Sequence, residues 1–176
     1  MTRLARTLTK ITGVLALSIV GSLVGSSCST SPHPATVVEI ATQLTSQQRT
    51  LHTVGANAEN VYGWNQLTGT AEVDGATVGI EMLANVNYLK GSGEFFGFVT
   101  LTFADGATVG VQMNSGRTTA ATEPINASFT SPLTVINGTG RYAGVTGTGG
   151  FSGQRKDALG GVVDSRFNLA LRMPGK

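Results

Sequence analysis

The stretch Gly138-Thr139-Gly140-Arg141-Tyr142-Ala143-Gly144-Val145-Thr146-Gly147 places four glycines in ten residues, between two runs of β-prone residues. Glycine reaches positive φ angles without steric cost, but it weakens regular strands and helices. The spacing of Gly138, Gly140, Gly144 and Gly147 therefore predicts a structural turn motif between two strands that approach closely. The motif indicates an architecture and carries no catalytic chemistry.

Residues on both sides of this turn favour strands, because they are rich in glycine, β-branched and aromatic side chains and show no apolar stripe of helical period. An internal repeat supports this interpretation, since Asp74–Met82 returns as Asp105–Met113, displaced by 31 residues. Each copy begins with Asp-Gly, which is a strong hairpin signal. The two copies predict successive hairpins of a meander.

Apolar and polar side chains alternate along the predicted strands. The inward sets are Val78, Ile80, Met82, Ala84, Val86 and Tyr88; Val99, Leu101 and Phe103; Val109, Val111 and Met113; and Val163, Phe167, Leu169, Leu171 and Met173. This period of two predicts one buried face. We predict an all-β fold, an eight-stranded antiparallel β-barrel, because closure covers that face and removes the strand edges. A two-sheet β-sandwich is the alternative, since alternation alone does not separate the two.

The N-terminus has the layout of a secretory signal, with a basic start followed by an apolar run from Ile11 to Gly25. Residues 1–27 are therefore predicted to be a signal peptide, and the protein to be exported. Cys28 is the single cysteine and follows two serines where a signal would be cut, which resembles the acylated cysteine of bacterial lipoproteins. Gly25 stands where a leucine-like residue is usual. Lipid anchoring in the cell envelope through Cys28 and ordinary secretion both stay open.

The chain after the signal divides into two parts. Residues 28–53 are predicted to form a tether rich in Ser, Thr and Pro, followed by an N-terminal edge segment that fits a strand better than a short amphipathic helix. Residues 54–176 are predicted to form the β-barrel domain, a length sufficient for one core.

The basic character of the whole chain belongs to its leader. From Cys28 onward there are nine Lys and Arg residues against ten Asp and Glu residues, and no basic run exceeds Arg155-Lys156. We therefore expect no nucleic-acid partner. Contact with a membrane is expected only through a lipid on Cys28.

Residues Val135–Phe151, with the preceding Phe129–Leu133, resemble the late strand–turn–strand segment of the allene oxide cyclase and dirigent families, in which a Gly-Thr-Gly-basic-aromatic stretch precedes a further glycine. The resemblance covers about Thr68 to Met173. It implies an eight-stranded antiparallel barrel, often trimeric or dimeric, with an apolar cavity in which the enzymes of those families steer a reactive oxylipin or a lignan radical. No segment matches their catalytic residues, so the resemblance implies a fold and leaves the activity open.

Titratable side chains offer little for catalysis. Asp74, Asp105 and Asp157 fall in predicted turns, and the two histidines, His33 and His52, precede the predicted barrel. The remaining acids of interest are expected to face outward: Glu72, Glu81, Glu94 and Asp164. We therefore expect no metal site, no cofactor and no Ser-His-Asp triad.

Four aromatic residues are the candidates for ligand binding, because such side chains line apolar pockets. They are Tyr62, Trp64, Tyr88 and Tyr142. Alternatively they plug the barrel or lie on its surface.

The sequence leaves three functions open. The leading one is an exported, non-enzymatic barrel that binds a small apolar ligand or an envelope component. The second is a cyclase- or isomerase-like enzyme with Tyr88 as the first candidate residue. The third is a packed structural or interaction module, for which an apolar patch near Leu83 and Leu89 would indicate a homo-oligomer or another partner.

Overall fold

The computed structural model describes residues 34–56, 59–122 and 126–175. Its strands are β1 (Thr36–Val54), β2 (Asn60–Val73), β3 (Ala76–Leu89), β4 (Gly93–Thr102), β5 (Thr108–Ala120), β6 (Ala127–Gly138), β7 (Thr146–Arg155) and β8 (Val163–Arg172). Neighbours in sequence pair with each other, and β8 pairs with β1 to close the barrel. All eight pairings are antiparallel. The predicted eight-stranded antiparallel barrel is confirmed, and the sandwich is excluded.

The predicted signal peptide, Cys28 and His33 lie outside the described residues, so export and lipid attachment stay predictions. Within residues 34–56, 59–122 and 126–175, no helix is both long and apolar enough to cross a membrane.

Strand β1 closes the barrel and is not an edge segment. Its first half, Thr36–Leu44, pairs with β8, and its second half, Thr45–Val54, pairs with β2. Val38, Ile40 and Leu44 alternate into the core because both neighbours bury that face. The predicted domain boundary at residue 54 is therefore corrected, since the barrel begins at Thr36.

The repeated Asp-Gly pair forms a hairpin turn in both copies, as predicted, but the two turns differ. Asp74 and Gly75 both have positive φ, at 51° and 75°, and make a two-residue turn between β2 and β3. In the second copy only Gly106 has positive φ, at 80°. There the Gly106 N–H donates to the Phe103 carbonyl oxygen at 2.9 Å, and Phe103 N–H donates to Ala107 O at 2.9 Å. The longer loop places Phe103 under the turn.

The glycine-rich stretch connects β6 to β7 through a single 3₁₀ turn, Gly140–Tyr142. Gly140 and Gly144 adopt positive φ angles of 57° and 75°. Gly138 and Gly147 are positions of close approach, where an added Cβ would overlap the carbonyl oxygens of Tyr142 and Ala170 respectively. The motif is therefore structural, and each of its glycines has a geometric reason.

The inward side chains form one apolar core that runs the length of the barrel. The predicted inward sets on β3, β4, β5 and β8 are buried or half-buried as expected. We name the two ends of the barrel by their contents: the cavity end is where β1, β3, β5 and β7 finish, and the turn end carries the turns after β2, β4 and β6.

Candidate binding cavity

A partly open space of about 40 Å³ lies among the inward side chains at the cavity end. A space of that volume holds only a few water molecules, because each water molecule needs roughly 10–15 Å³ of accessible volume. Four aromatic side chains form much of its wall: Tyr88, Phe95, Phe129 and Phe151. Aliphatic side chains of β2 and β3 complete the apolar part: Leu67, Met82, Ala84 and Val86.

The aromatic wall is held by edge-to-face packing. The ring centroid of Phe95 lies 6.4 Å from that of Phe129 and 6.4 Å from that of Phe151, with interplanar angles of 76° and 88°. Phe151 in turn lies 5.1 Å from Phe167. These arrangements suit the ring quadrupoles and fix the orientation of each ring. The wall is therefore a rigid apolar surface contributed by β4, β6 and β7.

Arg155 brings a positive charge into this wall. Only 5% of the surface of Arg155 is exposed. The Nε atom donates to the carbonyl oxygen of Asp157 at 3.0 Å, and Nη2 donates to Asn126 Oδ1 at 3.0 Å. The guanidinium carbon lies 5.5 Å from the centroid of Phe129, a cation–π contact. Burial lowers the pKa of Arg155 below its ordinary value, and the Tyr88 hydroxyl opposes that shift by charge interaction and hydrogen bonding.

Two further polar groups border the same space. Tyr88 is 8% exposed, and its hydroxyl oxygen accepts a long hydrogen bond of 3.4 Å from Thr118 Oγ1. Asn65 is also buried, and its Oδ1 accepts a 2.6 Å hydrogen bond from Ser46 Oγ. The cavity thus combines an apolar wall with a small number of convergent polar groups, which is the usual composition of a ligand site.

Two further side chains border the cavity. Leu159, in the connection between β7 and β8, lines the cavity and packs against the core. The Arg49 guanidinium of β1 lies against Gly160 in the same connection. The regular β3–β4 ladder ends at Ala84 and Gly97, and beyond it Asn85 Oδ1 accepts from the Phe96 N–H at 2.6 Å. Asn85 also lines the cavity.

The predicted site residues do not meet in one place. Tyr88 lines the cavity. Tyr62 and Trp64 are 54% and 41% exposed and lie on the outer surface, which is the alternative that the sequence left open for them. The alternation along β2 explains this position. Asn65 and Leu67 point inward, and the even-numbered residues around them point outward.

Tyr142 lies at the opposite end of the barrel from Tyr88. Its ring stacks on Phe103 with centroids 4.5 Å apart, and the Arg141 guanidinium lies 5.1 Å from both rings. Arg141 Nη1 also pairs with Asp105 Oδ2 at 3.1 Å. Tyr142 therefore closes the turn end and takes no part in the cavity.

Sequence reasoning missed Arg155 and the three phenylalanines of the wall, although a signal was present for Arg155. The inward positions of β7 are Gly147, Gly149, Phe151, Gly153 and Arg155, so counting by twos from Phe151 reaches Arg155. In the sequence, Arg155 entered the argument only as part of the longest basic run, Arg155-Lys156, with no face of the strand assigned to it. Phe95 had the same signal, because counting back by twos from the inward Val99 reaches Phe95 and leaves Phe96 on the outer face.

The acids lie where the sequence placed them, away from the core. Glu72, Glu94 and Asp164 are exposed and Glu81 is half-buried. His52 corrects one expectation, since it belongs to the barrel strand β1, where it is exposed. In the described part of the chain no carboxylate or imidazole lines the cavity, and no three His, Cys, Asp or Glu side chains cluster as metal ligands would.

Comparison with known proteins shows a likeness of structure. A conserved Rhodopseudomonas palustris protein of unknown function is similar with a TM-score of 0.50 at 13% identity, over 77% of this chain and 97% of that one. The two share a fold. A pterocarpan synthase dirigent protein gives a TM-score of 0.46 at 14% identity, over 82% of this chain and 99% of its own. A second gives 0.43 at 14% identity, over 81% and 88%. No family model and no curated protein matches the sequence.

Proposed function

We propose that the protein is a binding protein that holds a small apolar molecule at the cavity end of its barrel. The observation that carries the proposal is the space lined by the rings of Tyr88, Phe95, Phe129 and Phe151, together with a few polar side chains that include Arg155. Apolar pockets with a few oriented polar groups are the usual form of small-molecule sites.

The size of the space sets a condition on binding. An engineered apolar cavity of about 150 Å³ is known to take up benzene. The cavity of about 40 Å³ is much smaller. A ring-sized ligand therefore enters only if the Leu159 side chain moves off the cavity and the ligand takes its place against the wall.

A binding role fits the cavity better than the cyclase- or isomerase-like alternative does. Tyr88 and Arg155 provide the buried polar groups that an enzyme would need. Proton transfer at neutral pH is usually performed by carboxylates or imidazoles of adjusted pKa. Within the described residues the wall contains neither, so the polar groups are suited to orient a ligand.

The test of ligand binding is a matched pair of leucine substitutions on β3. A panel of fluorinated aromatic molecules, neutral and anionic, is titrated with the protein and followed by ¹⁹F NMR. Ala84→Leu adds bulk inside the cavity, whereas Asn87→Leu adds the same side chain on the exposed face. We expect the inward substitution to weaken binding roughly tenfold or more, because the leucine side chain takes up space that the ligand would fill, and crowding of this kind costs about 1–3 kcal/mol. Asn87→Leu should leave the binding affinity unchanged. Absence of binding by every member of the panel, or equal binding by both variants, contradicts the proposal.

A second candidate function, self-association, is favoured by an aromatic patch on the outer face of β2–β4. The patch consists of Tyr62, Trp64, Leu83, Phe96 and Phe98, all exposed. Leu83 lies opposite Phe98 in the ladder and diagonal to Trp64, so the members are neighbours. Isolated exposed apolar residues are ordinary, but a contiguous group marks an interface.

The occupant that fits the patch best is a second copy of the chain. Two ion pairs lie near it, Arg117 with Glu94 at 3.1 Å and Lys90 with Glu59 at 3.3 Å, and Glu81 beside Leu83 accepts a hydrogen bond from Gln66. An apolar face whose bordering charges bond mainly within the chain suits an identical face better than a charged partner.

Sedimentation velocity tests this candidate. We expect the wild-type protein to sediment as an oligomer at tens of micromolar, and Phe98→Glu to shift it to the monomer. Val37→Glu is the control, because Val37 is exposed on β1, away from the patch. A monomeric wild-type protein, or equal dissociation by both charges, counts against self-association through this face.

A further inference from the structure

Arg155 is the one charged residue in the buried set of the described chain. Its guanidinium donates to two neutral oxygens, the Asp157 carbonyl and the Asn126 amide, and it also interacts with the Tyr88 hydroxyl and the Phe129 ring. A buried charge is costly unless an opposite charge or a full set of hydrogen bonds compensates it. The neutral oxygens compensate only part of that cost.

The described carboxylates do not compensate it either. The ion pairs recorded among residues 34–56, 59–122 and 126–175 are Lys90–Glu59, Arg117–Glu94 and Arg141–Asp105, all at the surface. Arg155 has no carboxylate within 4 Å among those residues, and the acids of β2, β3, β4 and β8 point away from the core.

The groups beside Arg155 match one ligand chemistry. A guanidinium presents planar N–H donors that suit the two oxygens of a carboxylate, and such charge-assisted bonds are stronger than neutral ones. The Tyr88 hydroxyl, which borders the same cavity, can donate a further bond. Apart from Asn65 and Asn85, the remainder of the wall is aromatic and aliphatic, so it suits the apolar body of an acid.

We propose that the ligand of the cavity is a small apolar monocarboxylate, whose carboxylate pairs with Arg155 and accepts a second bond from Tyr88, while its apolar body packs against Phe95, Phe129 and Phe151. This inference rests on the proposed binding function and names the class of ligand. The carboxylate neutralises the buried guanidinium when it binds.

The test compares two ligands of the same shape. Binding of 4-fluorobenzoate and of neutral 4-fluorobenzamide is measured by ¹⁹F NMR at pH 7 with the purified protein. We expect the benzoate to bind at least tenfold more tightly, since a hydrogen bond to a charged group is worth about 1.5–3 kcal/mol. Arg155→Met should remove this preference, Arg155→Lys should retain part of it, and Tyr88→Phe should reduce it by a few fold.

Arg166→Met is the matched control, because Arg166 is exposed on the outer face of β8. It should leave the preference for benzoate unchanged. Thermal unfolding is recorded for every variant. If Arg155→Met does not fold, the graded responses of Arg155→Lys and Tyr88→Phe carry the test, and an undiminished preference in both overturns the inference.

The remaining outcomes separate the two proposals. Equal binding of benzoate and benzamide overturns the carboxylate inference and leaves the binding function standing. Failure of both molecules and of the rest of the fluorinated panel overturns both. Glu123 lies outside the described residues and is the acid nearest in sequence to Asn126, so Glu123→Gln is measured as well. A preference for benzoate that is present only in that variant overturns the inference, because a carboxylate of the chain then occupies the site.

Discussion

Gly149→Ala is expected to destabilise the barrel by about 3 kcal/mol, at the upper end of the usual range for overpacking. Gly149 occupies an inward position of β7, paired with Leu169 of β8. An added Cβ would overlap the carbonyl oxygen of Asn168 and lie 3.0 Å from Leu169 Cα. These are backbone atoms, which cannot rotate away as a side chain does. The methyl group therefore fits only if the β7–β8 ladder shifts.

The adjacent residue provides the control. Gly150 points outward, and an added Cβ there meets no heavy atom within 4 Å. Gly150→Ala should be neutral or stabilising by about 0.5 kcal/mol, because alanine loses less backbone entropy on folding than glycine. Urea denaturation followed by circular dichroism measures both variants. Equal midpoints for the two would show that β7 does not approach β8 as closely as described.

The glycine pattern that indicated the fold also explains the shape of the interior. Four of the five inward positions between Gly147 and Arg155 are either glycine or phenylalanine, and only the last is charged. At Gly147 and Gly149 the β7 backbone approaches β8 too closely for a Cβ, and Phe151 supplies the bulk on the inward face. The sequence therefore contained the successive hairpins of the barrel in two independent signals, the Asp-Gly repeat and the glycine-rich turn.

The strand β1 shows where local pattern reasoning ends. Its residues alternate well enough to predict a strand, but pairing with β8 joins residues more than 100 positions apart in the chain, as in the Gln43–Asp164 hydrogen bond. Local periodicity carries no information about such partners. An edge strand and a closing strand have the same alternation, and only the presence of β8 on the other side distinguishes them.

The candidate site was predicted less well than the fold, and β2 shows why. Tyr62 and Trp64 were expected to line a pocket because aromatic residues commonly do so. The inward face of β2 is set by Asn65 and Leu67, which places a polar residue inside and two aromatic residues outside. Tyr88 was placed correctly because it continues the unbroken inward row of β3. On β2 the alternation of inward and outward positions, and not residue type, decides which side chains face the core.

Phe95→Ala is expected to cost about 3–5 kcal/mol of stability, the range measured for removal of a buried aromatic ring. Phe95 is 6% exposed and stands between Phe129 and Phe151, and its ring also lies against Gly116 of β5. Phe96 follows it in β4 with 53% of its surface exposed. Phe96→Ala should therefore change the unfolding free energy by no more than about 0.5 kcal/mol. Denaturant unfolding of the two variants measures this difference, and comparable losses would contradict the inward and outward assignment of β4.

The same variant connects the packing of the barrel to its proposed function. Removal of the Phe95 ring enlarges a cavity of about 40 Å³ toward the size that takes up benzene-sized molecules. A ligand that binds only the folded state raises stability according to its concentration relative to its Kd. We therefore expect millimolar fluorobenzene to raise the melting temperature of Phe95→Ala and to leave that of Phe96→Ala unchanged. Fluorobenzene lacks a carboxylate, so the experiment measures the apolar wall independently of Arg155. If the ligand fails to stabilise Phe95→Ala, the wall collapses into the space left by the ring, and the cavity end is then too compliant to be the binding site.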